Sequence, residues 1–146
     1  MKNKIAFQVA ALASVVFLLC ILTASAVDKK AGPQQKEFSS DFATVWTATI
    51  GVLQGNGDAV VHSDKENGII STDYKAEGNG KWRHKFNLLL TKKDEQHTTV
   101  SVTAVIENLS RGAFTAQRWQ DQKSDGKREA QLLEEITKQL GSQTAK

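Results

Sequence analysis

Apolar positions follow three rhythms along this chain of 146 residues. From Ile5 to Leu22 they run almost unbroken, interrupted by Gln8 and Ser14. Between Phe42 and Leu53 a stripe recurs at helical spacing, as Phe42, Val45, Trp46, Thr49, Ile50 and Leu53. A second stripe follows at Leu132, Leu133, Ile136 and Leu140. Between the stripes, two stretches alternate strictly. Trp82, His84, Phe86, Leu88 and Leu90 share one strand face, and Val100, Val102, Ala104 and Ile106 share another. A period near 3.6 marks a helix with one buried side, and a period of 2 marks a half-buried strand.

The punctuation between these runs sets the element boundaries. Ser39-Ser40-Asp41 offers side-chain oxygens to the free amides of a helix start, and Gly55-Asn56-Gly57 ends that helix. Ala59–Ser63 and Ile69–Tyr74 are β-rich and are joined by Asp64-Lys-Glu-Asn-Gly68, which predicts a hairpin. Lys75–Gly80 is polar and reads as a loop. Trp82–Lys92 and His97–Glu107 are strands joined by the charged turn Lys93–Gln96. Leu89 breaks the alternation and predicts some cover on the second sheet face. Asn108–Gly126 reads as one long irregular stretch, and Lys127–Leu140 as a closing helix stopped by Gly141. Gln35–Phe38 adds a short edge strand. The order helix, four strands, helix predicts an α+β two-layer sandwich, with an antiparallel four-stranded sheet and both helices on its apolar face.

The first run has its own meaning. A positive start (Met1-Lys-Asn-Lys4), an apolar centre and small residues at Ala24 and Ala26 make a secretory signal peptide, cut after Ala26. Two alternatives stay open: retention of Ile5–Leu22 as a membrane anchor, and lipidation at Cys20, whose preceding Leu19 suits that modification poorly. The chain then divides into a signal peptide (1–26), a linker (27–37) holding the single proline Pro33, one domain (38–141) and a disordered tail (142–146). Export excludes most nucleotide-dependent chemistry. It also moves the charge balance, because losing Lys2 and Lys4 takes the formal charge from +3 to +1. No basic footprint for nucleic acid remains. Nor does any cysteine, since Cys20 is the only one.

Phe42-x-x-Val45-Trp46 at the helix start, Leu53-x-Gly55 at its end and Asp64-Lys-Glu-Asn-Gly68-Ile-Ile in the hairpin form a recognisable combination. It resembles the BamC-like helix-grip domains of Gram-negative envelope lipoproteins, BamC itself belonging to the β-barrel assembly machinery. The motif spans Phe42–Tyr74, and the layout agrees from about Phe38 to Leu140. The resemblance implies a helix-grip fold and a location in the periplasm or at the periplasmic face of the outer membrane. It implies a non-catalytic accessory role with envelope proteins as partners. It transfers no catalytic residue.

The chemical inventory agrees with a binding role. His62, His84 and His97 sit on or beside separate strands without metal-ligand spacing, and no nucleophile–base–orienter set is apparent. No catalytic residue, metal site or cofactor is expected. Asp64, Asp73 and Asp94 fall where aspartate caps backbone amides. The segment Ser110–Gln120 concentrates Arg111, Phe114, Arg118 and Trp119, the residue types that interfaces favour, and is the candidate interaction surface. The plainer reading of the same segment is that Phe114 and Trp119 fold back over the end of the sandwich. The alternative function is a carrier of a small apolar ligand, with Trp46, Trp82, Phe86 and Leu88 lining a cavity between helix and sheet. A hydrolase would need the histidines to converge with carboxylates.

Overall fold

The computed structural model describes residues 32–111 and 116–144. The elements in chain order are β1 (Gln34–Phe38), α1 (Phe42–Asn56), β2 (Val60–Asp64), β3 (Ile69–Thr72), β4 (Lys75–Glu77), β5 (Trp82–Lys92), β6 (Thr98–Ser110), β7 (Arg118–Gln122) and α2 (Lys127–Thr144). The class is α+β, and the sheet has seven strands rather than four, with every pair antiparallel. The stretch read as a leader (1–26) and residues 27–31 of the stretch read as linker lie outside the described residues, and β1 begins at Gln34 within the latter.

β5 and β6 form the centre, in continuous register from Trp82↔Asn108 to Lys92↔Thr98. Their outer edges are each covered by two shorter strands placed end to end. On β5 these are β3 and β4, with β2 beyond β3. On β6 they are β1 and β7. The two additional strands explain most of the miscount. β4 is three polar residues in a glycine-rich stretch, and β7 (Arg-Trp-Gln-Asp-Gln) has no apolar alternation to announce it.

Each end-to-end break leaves one backbone amide of the central pair without a strand neighbour, and a buried side chain fills each gap. Phe86 N donates to Thr72 Oγ1 at 2.9 Å, and Ala104 N donates to Glu129 Oε1 at 3.1 Å. A buried amide left alone costs about 1–3 kcal/mol, so these two acceptors complete the ladder. Glu129 is almost fully buried, and its other oxygen accepts from Ser124 Oγ at 2.8 Å. The same carboxylate thus fastens the first turn of α2 to β6.

The alternation of β5 and β6 holds as read. Phe86, Leu88, Leu90, Val100, Val102 and Ala104 face the helices, which contribute Val45, Trp46, Leu53, Leu132 and Ile136 to one core that Phe38 of β1 also enters. Burying each such large side chain contributes about 1.5–3 kcal/mol. Among the described residues no helix lies on the second face. Leu89 is 48% exposed there, so the cover expected from its break in alternation is absent among the described residues.

Asp41 caps α1, accepting from Thr44 N at 3.0 Å. The helix ends at Gly57, within the Gly55-Asn56-Gly57 stop read from sequence. Gly57 takes φ 78°, its N–H bonds Gln54 O at 3.0 Å, and Asp58 N bonds Leu53 O at 2.8 Å. That pair of bonds is the Schellman arrangement, which needs a left-handed residue. At the hairpin, Gly68 is fixed by crowding. It has φ 71°, and a Cβ there would lie 2.0 Å from the Leu90 carbonyl oxygen. α2 runs through Gly141 to Thr144, past the stop read from sequence and into the segment read as tail, because its last turns continue without a left-handed residue at 141.

Candidate functional site

Three elements meet around His84 at the end of the sandwich where α1 terminates. Alternation along β5 turns His84 inward, where it is 4% exposed. β4 pairs with β5 so that Lys75 lies opposite His84 and Glu77 opposite Trp82, which carries Lys75 and Glu77 to the same inner face. The turn that closes α1 drops Asp58 into the same space, also buried. α2 supplies Arg128 one residue after its start. Together with Asn56, Phe86, Gln131, Leu132 and Glu135 these groups line a pocket of about 270 Å³.

The charges of the pocket are tied to one another. Arg128 grips Glu77 with two hydrogen bonds, Nη1 to Oε1 at 2.7 Å and Nη2 to Oε2. This fork-on-fork geometry is the strongest form of the pair. Lys75 Nζ donates to the Asn56 carbonyl at 2.6 Å and stands 3.7 Å from Asp58 Oδ1. Glu135 accepts from Asn56 Nδ2 at 2.6 Å and Gln131 Nε2 at 2.9 Å.

His84 lies between two carboxylates. Nε2 is 3.4 Å from Asp58 Oδ1, and Nδ1 is 3.1 Å from Glu77 Oε1. Both separations are within ion-pair range, yet Asp58 Oδ1 and His84 Nδ1 have no aligned hydrogen-bond partner. Burial holds the His84 pKa below its ordinary 6.5. The Glu77 and Asp58 carboxylates oppose that shift, and the Arg128 and Lys75 charges reinforce it. The hydrogen bond from Arg128 holds the Glu77 carboxyl below its usual range, against its burial.

A second charged cluster lies directly behind the first, on the helix-free face. The Arg83 guanidinium is 4.1 Å from the ring centroids of both Tyr74 and Trp119, and it pairs with Glu107. Tyr74 Oη donates to Glu107 at 2.7 Å. Burial and that bond raise the Tyr74 pKa, and the same bond, with Arg83, lowers that of Glu107. Trp119 is therefore a clamp holding β7 to the sheet. Of the other residues in the candidate interaction surface, Arg111 and Arg118 are exposed on the β6–β7 edge, while Phe114 lies outside the described residues.

The four residues suggested as walls of an apolar cavity do not gather. Trp46, Phe86 and Leu88 are packed into the core, whereas Trp82 is 42% exposed at the end of β5. His62 is exposed on edge strand β2, and His97 lies 2.8 Å from Asp94 in the β5–β6 turn. Asp64, Asp73 and Asp94 accept from the backbone amides of Asn67, Tyr74 and Gln96, as turn aspartates do. Asp58 and Glu77 were missed by sequence reasoning. For Glu77 the signal was the Gly78-Asn79-Gly80 turn, since a hairpin drawn there sets Lys75 opposite His84, whereas Asp58 had none. Among the described residues no group of three or more His, Cys, Asp or Glu is arranged to hold a metal ion.

No protein-family model matches the chain. No curated protein matches it either. Among solved structures, the adenylate sensor of AMP-activated protein kinase, in complex with 5-aminoimidazole-4-carboxamide ribofuranotide, aligns at a TM-score of 0.46 and 14% identity. The alignment covers 73% of this chain and 94% of that one.

Proposed function

We propose that this chain is an exported accessory module of a Gram-negative-type bacterial envelope, helix-grip-like and related in layout to the BamC domains, which acts by binding a protein partner and not by catalysis. The observation that carries the binding role is the uncovered sheet face. Ile69 and Leu89 are cross-strand partners there, 38% and 48% exposed. Six residues away along β5 on the same face, the Arg83 clamp holds β7 in place at the opposite sheet edge, where Arg111 and Arg118 are exposed. Exposed apolar pairs, arginine and aromatic groups are the residue types that interfaces concentrate. Export rests on the leader, Met1 to Ala26.

The test joins fractionation to site-specific crosslinking in the native host. The expected result is a chain beginning at Val27 outside the cytoplasm, crosslinked to an envelope protein through position 89 or 118 and not through position 138 on α2. An intact chain from Met1 in the cytosol would overturn the export reading. Equal crosslinking from 89 and 138 would overturn the proposed surface. The pocket at His84 gives the carrier reading a cavity, but one lined mainly by charged and amide groups, which does not favour an apolar ligand.

A further inference from the structure

Asp58 Oδ1 and His84 Nδ1 are both sealed from solvent, so a molecule seated in the pocket does not reach them without rearrangement. A proton does. A neutral imidazole carries one N–H for two facing carboxylates, and a doubly protonated ring carries one for each. The stated distances place Nε2 toward Asp58 and Nδ1 toward Glu77. We propose that His84 is a proton-operated latch, whose protonation draws the Glu77 carboxylate away from Arg128 and so releases β4 from α2.

The groups facing His84 come from every neighbouring element. Asp58 follows α1, Lys75 and Glu77 stand on β4, Arg128 stands on α2, and Glu135 of α2 lies across the pocket. Phe86 presents its ring edge-on, with centroids 5.1 Å apart. In the neutral state Glu77 Oε1 serves Arg128 Nη1 at 2.7 Å while lying 3.1 Å from His84 Nδ1. Adding a proton to Nδ1 makes the ring a competitor for the same oxygen. It also places a third positive charge beside Lys75 and Arg128, in a setting where burial disfavours it.

β4 is built to respond. It has three residues, pairs among the described strands with β5 alone, and is followed by Gly78, Asn79 and Gly80, all with positive φ (57°, 58° and 77°). Among the described side-chain bonds, the Glu77–Arg128 pair is the one that joins β4 to α2. Short edge strands with few anchors open at the low end of the local stability range.

The test follows the imidazole signals of His84 by nitrogen-15 NMR in the domain from Val27 to Lys146 between pH 8 and 4.5, alongside amide exchange at 75–77. The expected result is a His84 midpoint below 6.5. Over the same interval β4 protection falls roughly tenfold per pH unit, as a one-proton opening requires. His84→Gln is expected to flatten that fall. Titration of His84 with β4 protection unchanged would overturn the latch, as would equal loss in His84→Gln, or no titration of His84 down to pH 4.5. The wild-type measurement decides the matter even if the variant fails to fold.

Discussion

Arg83 and His84 are neighbours in β5, and alternation sends them to opposite faces of the same sheet. Each stands among aromatic and acidic groups, yet the two environments differ in completeness. Arg83 is stacked between two rings, paired with Glu107, and braced by Tyr74 on that same carboxylate. His84 faces two carboxylates, and Nδ1 makes no aligned hydrogen bond to either. The difference teaches that a charged cluster gives rigidity only when donors and acceptors match in number. Where they do not match, the same residue types leave a protonation step open.

The sharpest way to break this comparison is to remove each member in turn. Arg83→Ala is expected to cost about 2 kcal/mol, through two lost cation–π contacts and an acidic group left with a single donor. It should also loosen β7, and urea unfolding together with Trp119 emission measures both. His84→Gln at pH 8 is expected to cost about 1 kcal/mol, because it exchanges one incompletely bonded polar group for another. A larger loss for His84→Gln than for Arg83→Ala would reverse the ranking.

pH separates the two faces next. The folded-state pKa of His84 is depressed, so its contribution is complete above its ordinary 6.5 and is lost as pH falls below that value. Glu107 is also depressed, and its contribution disappears only below its ordinary 4.5. Tyr74 is raised, so its share is full below its ordinary 10.0 and is lost above it. Stability measured from pH 4 to 11 should therefore fall first on the His84 side, and Tyr74→Phe should remove part of the alkaline limb alone. The smallest effect is expected from Leu89→Thr on the open face, within about 0.5 kcal/mol by urea unfolding. A loss above 1 kcal/mol would mean that face is covered.

The backbone plan was largely legible because periodicity survives wherever one side of an element is buried. Both helices, the β2–β3 hairpin and the alternation of β5 and β6 could be read directly. β4 and β7 could not, since edge strands whose residues face solvent carry no apolar rhythm. Trp82 shares the parity of the core but lies at the end of β5, which parity alone does not reveal. The pocket stayed hidden for a related reason. Its acidic groups follow a helix end at Asp58 and sit on β4 at Glu77, and only strand register brings them to His84. Trp119, read either as part of an interaction surface or as folded back over the end of the sandwich, stacks on Arg83. Nothing in the linear sequence joins positions so far apart.

Among the described strands, β6 receives the first and the last along a single edge. From β2 to β6, nearly every pairing joins strands close in sequence, and such contacts close quickly. β1 must wait until its partner on β6 exists, and the loop it closes spans most of the domain. Phe38 thus reaches its place only after the strand that receives it, 60 and more residues further along the chain, has formed.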